Sequence, residues 1–251
     1  MSIASEITRL QNAKSVLKTK LNAKNDAQHQ IDDETIDEYG NFVDSIPTGS
    51  QVTKGLVFSD YDADGYPHDI KFVGSWTEIP AHYAHYIFAS TSIGKYVKEV
   101  TIPNNVTTLG ESAFNDCSGL QTVNFPASLT TIGGMAFRYC SSIKTVVLEN
   151  NITFSGTQTF RFCSGLTSVT FGGNVSSITS TCFDSCSNVM LYDFSHCSSV
   201  PSLYNTGSLG HKSGCVIKIP SALSDTTLGT GNGWESGTNW SALANIVWEV
   251  V

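Results

Sequence analysis

Three aspartates at alternate positions, Asp60, Asp62 and Asp64, run into Gly65 in the stretch FSDYDADGYPHDI, residues 58–70. That is how a calcium loop begins: alternate carboxylates supply hard oxygen ligands, and glycine supplies the sharp turn at the sixth position. A twelve-residue loop starting at Asp60 must end on a bidentate glutamate, and the residue there is Lys71. Asp69 is one of the few remaining acids and would ligate only through a different geometry. The flanks GLVF and DIKFVG alternate as short strands do, and Asp-Gly between such strands signals a hairpin. We therefore expect a metal-free β-hairpin whose aspartates accept hydrogen bonds from turn amides. A calcium site of Asp60, Asp62, Asp64 and Asp69 is the alternative.

Other chemistry-bearing residues are sparse. His82 and His85 form an H-x-x-H in PAHYAHYIF, with no third ligand at a useful spacing, and Tyr83, Tyr86 and Phe88 suit packing. Cys182, Cys186, His196 and Cys197 have the composition of a zinc site. No nucleophile elbow, phosphate loop or repeated carboxylate pair is present. The expectation is a protein that is not an enzyme and uses no cofactor or metal.

Elements that would position these residues follow from repetition. Cys117, Cys140, Cys163 and Cys186 recur every 23 residues, and so do Phe114, Phe137, Phe160 and Phe183. No insertion or deletion interrupts four consecutive units, and a fixed period of this length is the signature of a solenoid. In LQTVNFPASLTTIGGMAFRYCSS, residues 120–142, Val123 and Phe125 alternate with Thr122 and Asn124 as a short strand does, apolar side inward. A turn and a short helical or irregular return then bring Ile132, Ala136 and Phe137 to the core. One coil cannot close its own apolar face, so neighbours must stack and each end needs a cap. Cysteines in such a column read as small buried hydrophobes.

The pattern L-x-x-V-x-[FIL]-x-x-x-[VLI]-x-x-[IL]-x-x-x-[AC]-F-x-x-C-S resembles the BspA-type leucine-rich repeats, a bacterial and phage group. VKEVTIPNNVTTLGESAFNDCSG, residues 97–119, fits it almost column for column. The third unit departs, with Glu149 where proline is usual and Ser155 before Gly156, which reads as surface variation. The resemblance implies a leucine-rich-repeat solenoid of 23-residue coils, rich in short β-strands, over 97–200. A helical attachment or oligomerisation segment precedes it at 1–50. A β-hairpin and N-terminal cap occupy 51–96, and a C-terminal cap 201–251.

Within 1–50, Ile3, Ile7, Leu10, Lys14, Leu17 and Leu21 form a heptad seam. The segment either associates as a coiled coil, a trimer being one option, or folds back on a second helix through Ile36, Tyr39, Phe42, Val43 and Ile46. Its opening also resembles the start of phage tail-associated proteins.

Composition sets the partners. A net charge of −8 leaves no basic surplus to replace phosphate counterions, so nucleic acid is not expected. No apolar run is long enough to insert in a membrane, and the N-terminus lacks the layout of a secretory signal. A virion protein folds in the host cytoplasm and leaves by lysis. The expectation is a phage tail protein whose repeats recognise a host-surface protein or glycan, with residues 1–50 engaging other virion proteins. A virion assembly protein and a prophage-derived bacterial scaffold or adhesin are the alternatives. Two surfaces are candidates for contact. Thr101, Thr122, Asn124, Thr145, Ser168 and Thr170 make a hydroxyl-rich strand face, though threonine also simply suits strands. Arg138, Tyr139, Arg161 and Phe162 occupy matching slots on the return side of adjacent coils, a typical interface composition.

Overall fold

The computed structural model describes residues 54–62, 67–81, 93–199, 201–223, 243 and 245–251. The helical segment expected at 1–50 lies outside them, as do Asp64, His82 and His85.

The chain enters through an antiparallel hairpin of β1 (Lys54–Tyr61) and β2 (Pro67–Gly74). After β3 (Glu78–Ile79) come two strands per coil, a longer one and a corner one. They are β4 (Glu99–Thr101) with β5 (Thr108–Leu109), β6 (Thr122–Asn124) with β7 (Thr131–Ile132), and β8 (Thr145–Leu148) with β9 (Thr153–Phe154). The series continues with β10 (Ser168–Phe171) and β11 (Ser177–Ile178), then β12 (Leu191–Asp193) and β13 (Ser202–Leu203). β14 (Cys215–Ile219) and β15 (Ile246–Val250) close it. The longer strands stack in parallel as β2-β4-β6 and β8-β10-β12-β14-β15, and the corner strands as β3-β5-β7-β9 and β11-β13. Every ladder after the hairpin is parallel, because successive coils run in the same sense.

The core is a set of columns. Phe114, Phe137, Phe160 and Phe183 are fully buried and stack ring on ring, with centroids 5.3, 5.2 and 5.2 Å apart and planes within 9°. The spacing follows from that of stacked strands. Around them lie Val100, Ile102, Leu109, Ile132, Val146, Leu148, Val169 and Phe171.

The return is neither helical nor irregular. Two columns of residues adopt left-handed backbone: Ser112, Met135, Gln158 and Thr181 at φ 55, 55, 62 and 53°, and Asp116, Tyr139, Phe162 and Ser185 at φ 65, 62, 63 and 62°. Between these left-handed corners every second N–H points at the next coil. Ser112, Phe114 and Asp116 thus donate to the carbonyls of Gly134, Ala136 and Arg138, and the next two coils repeat the pattern. Short i−3 turn bonds, such as Cys117 N–H to Phe114 O, satisfy the alternate amides. The return is therefore a second inter-coil ladder, and it accounts for backbone groups that a dry interior would leave costly.

Coil three corrects the expectation of unbroken register. Its length is conserved, but Thr131 pairs with Thr153 and Ile132 with Phe154, one residue earlier than the 23-residue step. The step would have placed Ser155 in the core slot. Burying Phe154, 4% exposed with its ring edge-on to Phe160 and Phe183 at 6.4 and 6.1 Å, is favoured over burying a hydroxyl.

Candidate binding surfaces

On the return side, the backbone places Tyr139 and Phe162 at the same left-handed corner of coils two and three. Their rings stack with centroids 4.7 Å apart and planes 2° from parallel. The Arg138 guanidinium lies over the Tyr139 ring at 4.6 Å, and that of Arg161 over Phe162 at 4.5 Å. Since the rings cover each other's inner faces, the guanidinium groups cap the outer ones, giving a four-layer stack. Such cation–π layers fix long side chains that would otherwise lose rotamer entropy on binding.

The two cations differ. Arg161 Nε donates to Asp184 Oδ2 at 2.7 Å, which neutralises it locally. Arg138 Nη2 donates to Tyr139 Oη at 3.1 Å and Nη1 lies 3.8 Å from Met135 Sδ; its Nε is buried without an acceptor. Among the described residues Arg138 has no carboxylate partner, so its charge is available to a ligand. Tyr139 is 37% exposed. With ring faces covered, the stack offers ring edges, a phenol oxygen and a guanidinium, a surface suited to carboxylate and carbonyl groups rather than to a sugar ring lying flat on an aromatic.

The strand face is less uniform than its sequence suggests. Thr101, Thr122, Asn124 and Thr145 are exposed, and Ser168 and Thr170 half-buried. Asn124 Nδ2 already donates to Glu99 Oε1 at 2.7 Å and Thr101 Oγ1 at 3.1 Å. Thr101, Thr122 and Asn124 belong to one sheet and Thr145, Ser168 and Thr170 to another, so the hydroxyl ladder is divided rather than continuous. Val147, 48% exposed between them, was not among the sequence candidates. Its signal was the run Val146-Val147-Leu148, where three apolar residues break the alternation.

At the hairpin, Asp60 has left-handed backbone at φ 54° and its Oδ2 lies 3.3 Å from His68 Nδ1. Asp62 Oδ2 is 3.9 Å from His68 Nε2, and Lys98 Nζ is 3.4 Å from His68 Nδ1. Asp69 neighbours His68 on the same strand and so faces the other side of the sheet, which separates it from Asp60 and Asp62. Among the described residues no group of three His, Cys, Asp or Glu could hold a metal. The zinc candidates are parted: Cys182 and Cys186 are in the core, Cys197 Sγ donates to Gly173 O at 3.2 Å, and exposed His196 meets Ser195 Oγ through Nδ1 at 3.1 Å.

The buried thiols do more than fill space. Cys140, Cys163 and Cys186 donate through Sγ to the carbonyls of Phe114, Phe137 and Phe160, in each case the preceding coil, at 3.2, 3.1 and 3.0 Å. Burial raises the pKa of Cys140, Cys163 and Cys182, and pushes Cys197 and Cys215 up to about 11. They remain protonated donors rather than nucleophiles.

This coil, with its phenylalanine column and turn-built return, matches a known family over residues 83–206, described as BspA type leucine rich repeat region, in six copies. Residues 83–206 are a BspA-type leucine-rich repeat region. Among solved structures, the pneumococcal vaccine antigen PcpA superposes with a TM-score of 0.56 at 18% identity, over 76% of this chain and 44% of that one. The chain thus spans less than half the length of PcpA as solved. A leucine-rich repeat protein from Bacteroides ovatus is also similar, at 14% identity, over 82% of this chain and 72% of that one, with a TM-score of 0.37. Among curated proteins, none matches the chain. The likeness to PcpA is one of fold. Repeat regions of this kind are generally binding or scaffold parts rather than catalytic ones, and among the described residues of this one no catalytic constellation is assembled.

Proposed function

We propose that this chain is a non-enzymatic binding protein that engages a macromolecular partner through the return side of its repeats. The observation that carries this reading is the four-layer stack of Arg138, Tyr139, Phe162 and Arg161, with Arg138 held in place and left without a carboxylate partner. Ordering these side chains before contact lowers the entropy lost on binding. Covered ring faces favour a protein surface bearing carboxylates over a neutral glycan. The resemblance of residues 1–50 to phage tail-associated proteins supports the further reading that the partner is on a host cell and the chain on a virion. PcpA is described as a vaccine antigen, and a role in contact between surfaces agrees with that description.

The test is binding of the full chain to intact candidate host cells, alongside Arg138→Glu and Tyr139→Ala. The expected outcome is loss of at least about tenfold in affinity for each variant, as for truncation at an interface anchor, with thermal unfolding unchanged for Arg138→Glu. Wild-type binding by both variants would remove the return side as the contact surface. The virion reading is checked separately, by mass spectrometry of purified particles.

A further inference from the structure

The strand face is interrupted once. β6 and β8 carry residues 23 apart in the repeat, yet no ladder joins them, and nearly all Cα–Cα distances between them exceed 8 Å. Paired strands stand about 4.8 Å apart. The same two coils are joined elsewhere. β7 pairs with β9, and Met135, Phe137 and Tyr139 donate through N–H to the carbonyls of Thr157, Thr159 and Arg161. At the corner their backbones approach closely at Gly134 and Gly156. The result is a wedge, tight at the corner and open on the strand face.

Backbone groups in the opening can be assigned. Thr122 N–H donates to Lys98 O, and Asn124 O accepts from Ile102 N–H, so those two residues turn their polar groups toward β4. Alternation along a parallel strand then aims the N–H and C=O of Val123 and the N–H of Phe125 into the opening. Across it, Ser168 N–H donates to Lys144 O, which leaves Thr145 and Val147 facing β6. Two unpaired edges therefore face each other, each a template for a strand. Side-chain burial differs at the β6 margin: Val123 and Phe125 are only partly buried, whereas Val100, Ile102, Val169 and Phe171 in the same columns, and Val146 and Leu148 on β8, are at most 1% exposed.

We propose that this opening is a strand-insertion site for one extended segment of a partner polypeptide. One parallel strand seated between β6 and β8 needs two inter-strand steps, about 9.5 Å, and would satisfy both edges at once. Its inward residues would be β-branched or aromatic, resting on Val123 and Phe125, and its outward ones small and polar beside Thr122, Thr145 and Val147. No charged side chain lies on β6 or β8, so an uncharged segment fits. A folded second copy does not serve, because an edge strand such as β15 already pairs on one side and the inserted strand needs both sides free. Sugars and lipids lack alternating N–H and C=O groups at the strand repeat. This site is independent of the return-side stack and does not rest on it.

The probe is the synthetic peptide acetyl-LTSVTFGG-amide, the sequence of residues 166–173 that stacks on the far side of β8. Hydrogen exchange is followed by NMR on the full chain. The amides of Val123, Phe125 and Val147 should exchange freely in the chain alone, and slow by at least about tenfold in excess peptide. A control peptide with proline at both its inner serine and threonine should give no protection. Val123→Pro removes a donor aimed only into the opening and should abolish peptide protection at Val147; Val147→Pro tests the opposite edge if the first variant misfolds. Protection of these amides in the free chain would overturn the proposal, since β6 and β8 would then pair directly. Absence of protection at millimolar peptide, or protection confined to the outer edge of β15, would overturn it equally.

Discussion

Cys163 Sγ and Phe137 O, 3.1 Å apart, show how one residue serves two coils. The thiol fills a small core slot and also donates to a carbonyl of the coil before it. Protonation is essential to that role, so alkaline pH acts against it. Below about pH 9 the folded and unfolded chains carry the same thiol protons. Above it the unfolded chain loses them first, binds fewer protons than the folded one, and stability falls as pH rises. For Cys197 and Cys215 the loss is complete near pH 11; Cys140, Cys163, Cys182 and buried Tyr192 act in the same direction. The melting temperature is expected to drop between pH 8 and pH 10.5, and a flat profile would show that these thiols are not buried. Phenylalanines separate the core from the opening. Phe137→Ala should cost about 3–5 kcal/mol in denaturant unfolding, as for a fully buried aromatic. Phe125→Ala, partly exposed at the edge of the opening, should cost clearly less. Equal losses would mean that the opening is closed in solution.

At the junction of coils two and three the corner, rather than the longer strands, sets how closely the coils stack. A Cβ added to Gly156 would stand 2.6 Å from the Gly134 backbone, where no side chain can yield. Gly156→Ala is therefore expected to destabilise by about 1–3 kcal/mol, the usual cost of overpacking, measured by chemical denaturation; a neutral result would show that this corner has room for a methyl group. The repeat was legible from the 23-residue columns of phenylalanine and cysteine, because burial restricts those positions to few residue types. So was the meeting of Tyr139 with Phe162, since equal slots in adjacent coils come together; Arg138 and Arg161 share a slot by spacing, yet each lies over its own neighbouring ring rather than on the other. The two left-handed columns were not legible. Ser112, Met135, Gln158 and Thr181 share a backbone conformation with no shared chemistry, and inter-coil hydrogen bonds rather than glycine hold it. The shift at Phe154 was hidden for a different reason: the unit keeps its length, and only the competition between Phe154 and Ser155 for one core slot reveals the offset. Asp69 was a calcium candidate beside Asp60 and Asp62 only through a different geometry, and the strand sets it on the face opposite His68, which those two acids approach.

Along the whole molecule each coil touches only its neighbours, so stability is a chain of nearest-neighbour junctions. The junction between coils two and three lacks its strand-side ladder and should be where cooperativity divides. Native-state hydrogen exchange in rising denaturant is expected to show two opening units, one holding β4 and β6 and the other β8, β10, β12 and β14. A single opening energy across all six strands would refute this division. The same junction carries the Tyr139–Phe162 stack on its closed side. Mechanically, coils two and three resemble two leaves joined along a spine: the stacked rings and the Gly134–Gly156 corner form the spine, and β6 and β8 are the free margins. A partner that presses on the rings and a strand seated between the margins act about one axis. Each would alter the other's affinity by the same factor, and the angle between the two leaves would report which of them is bound.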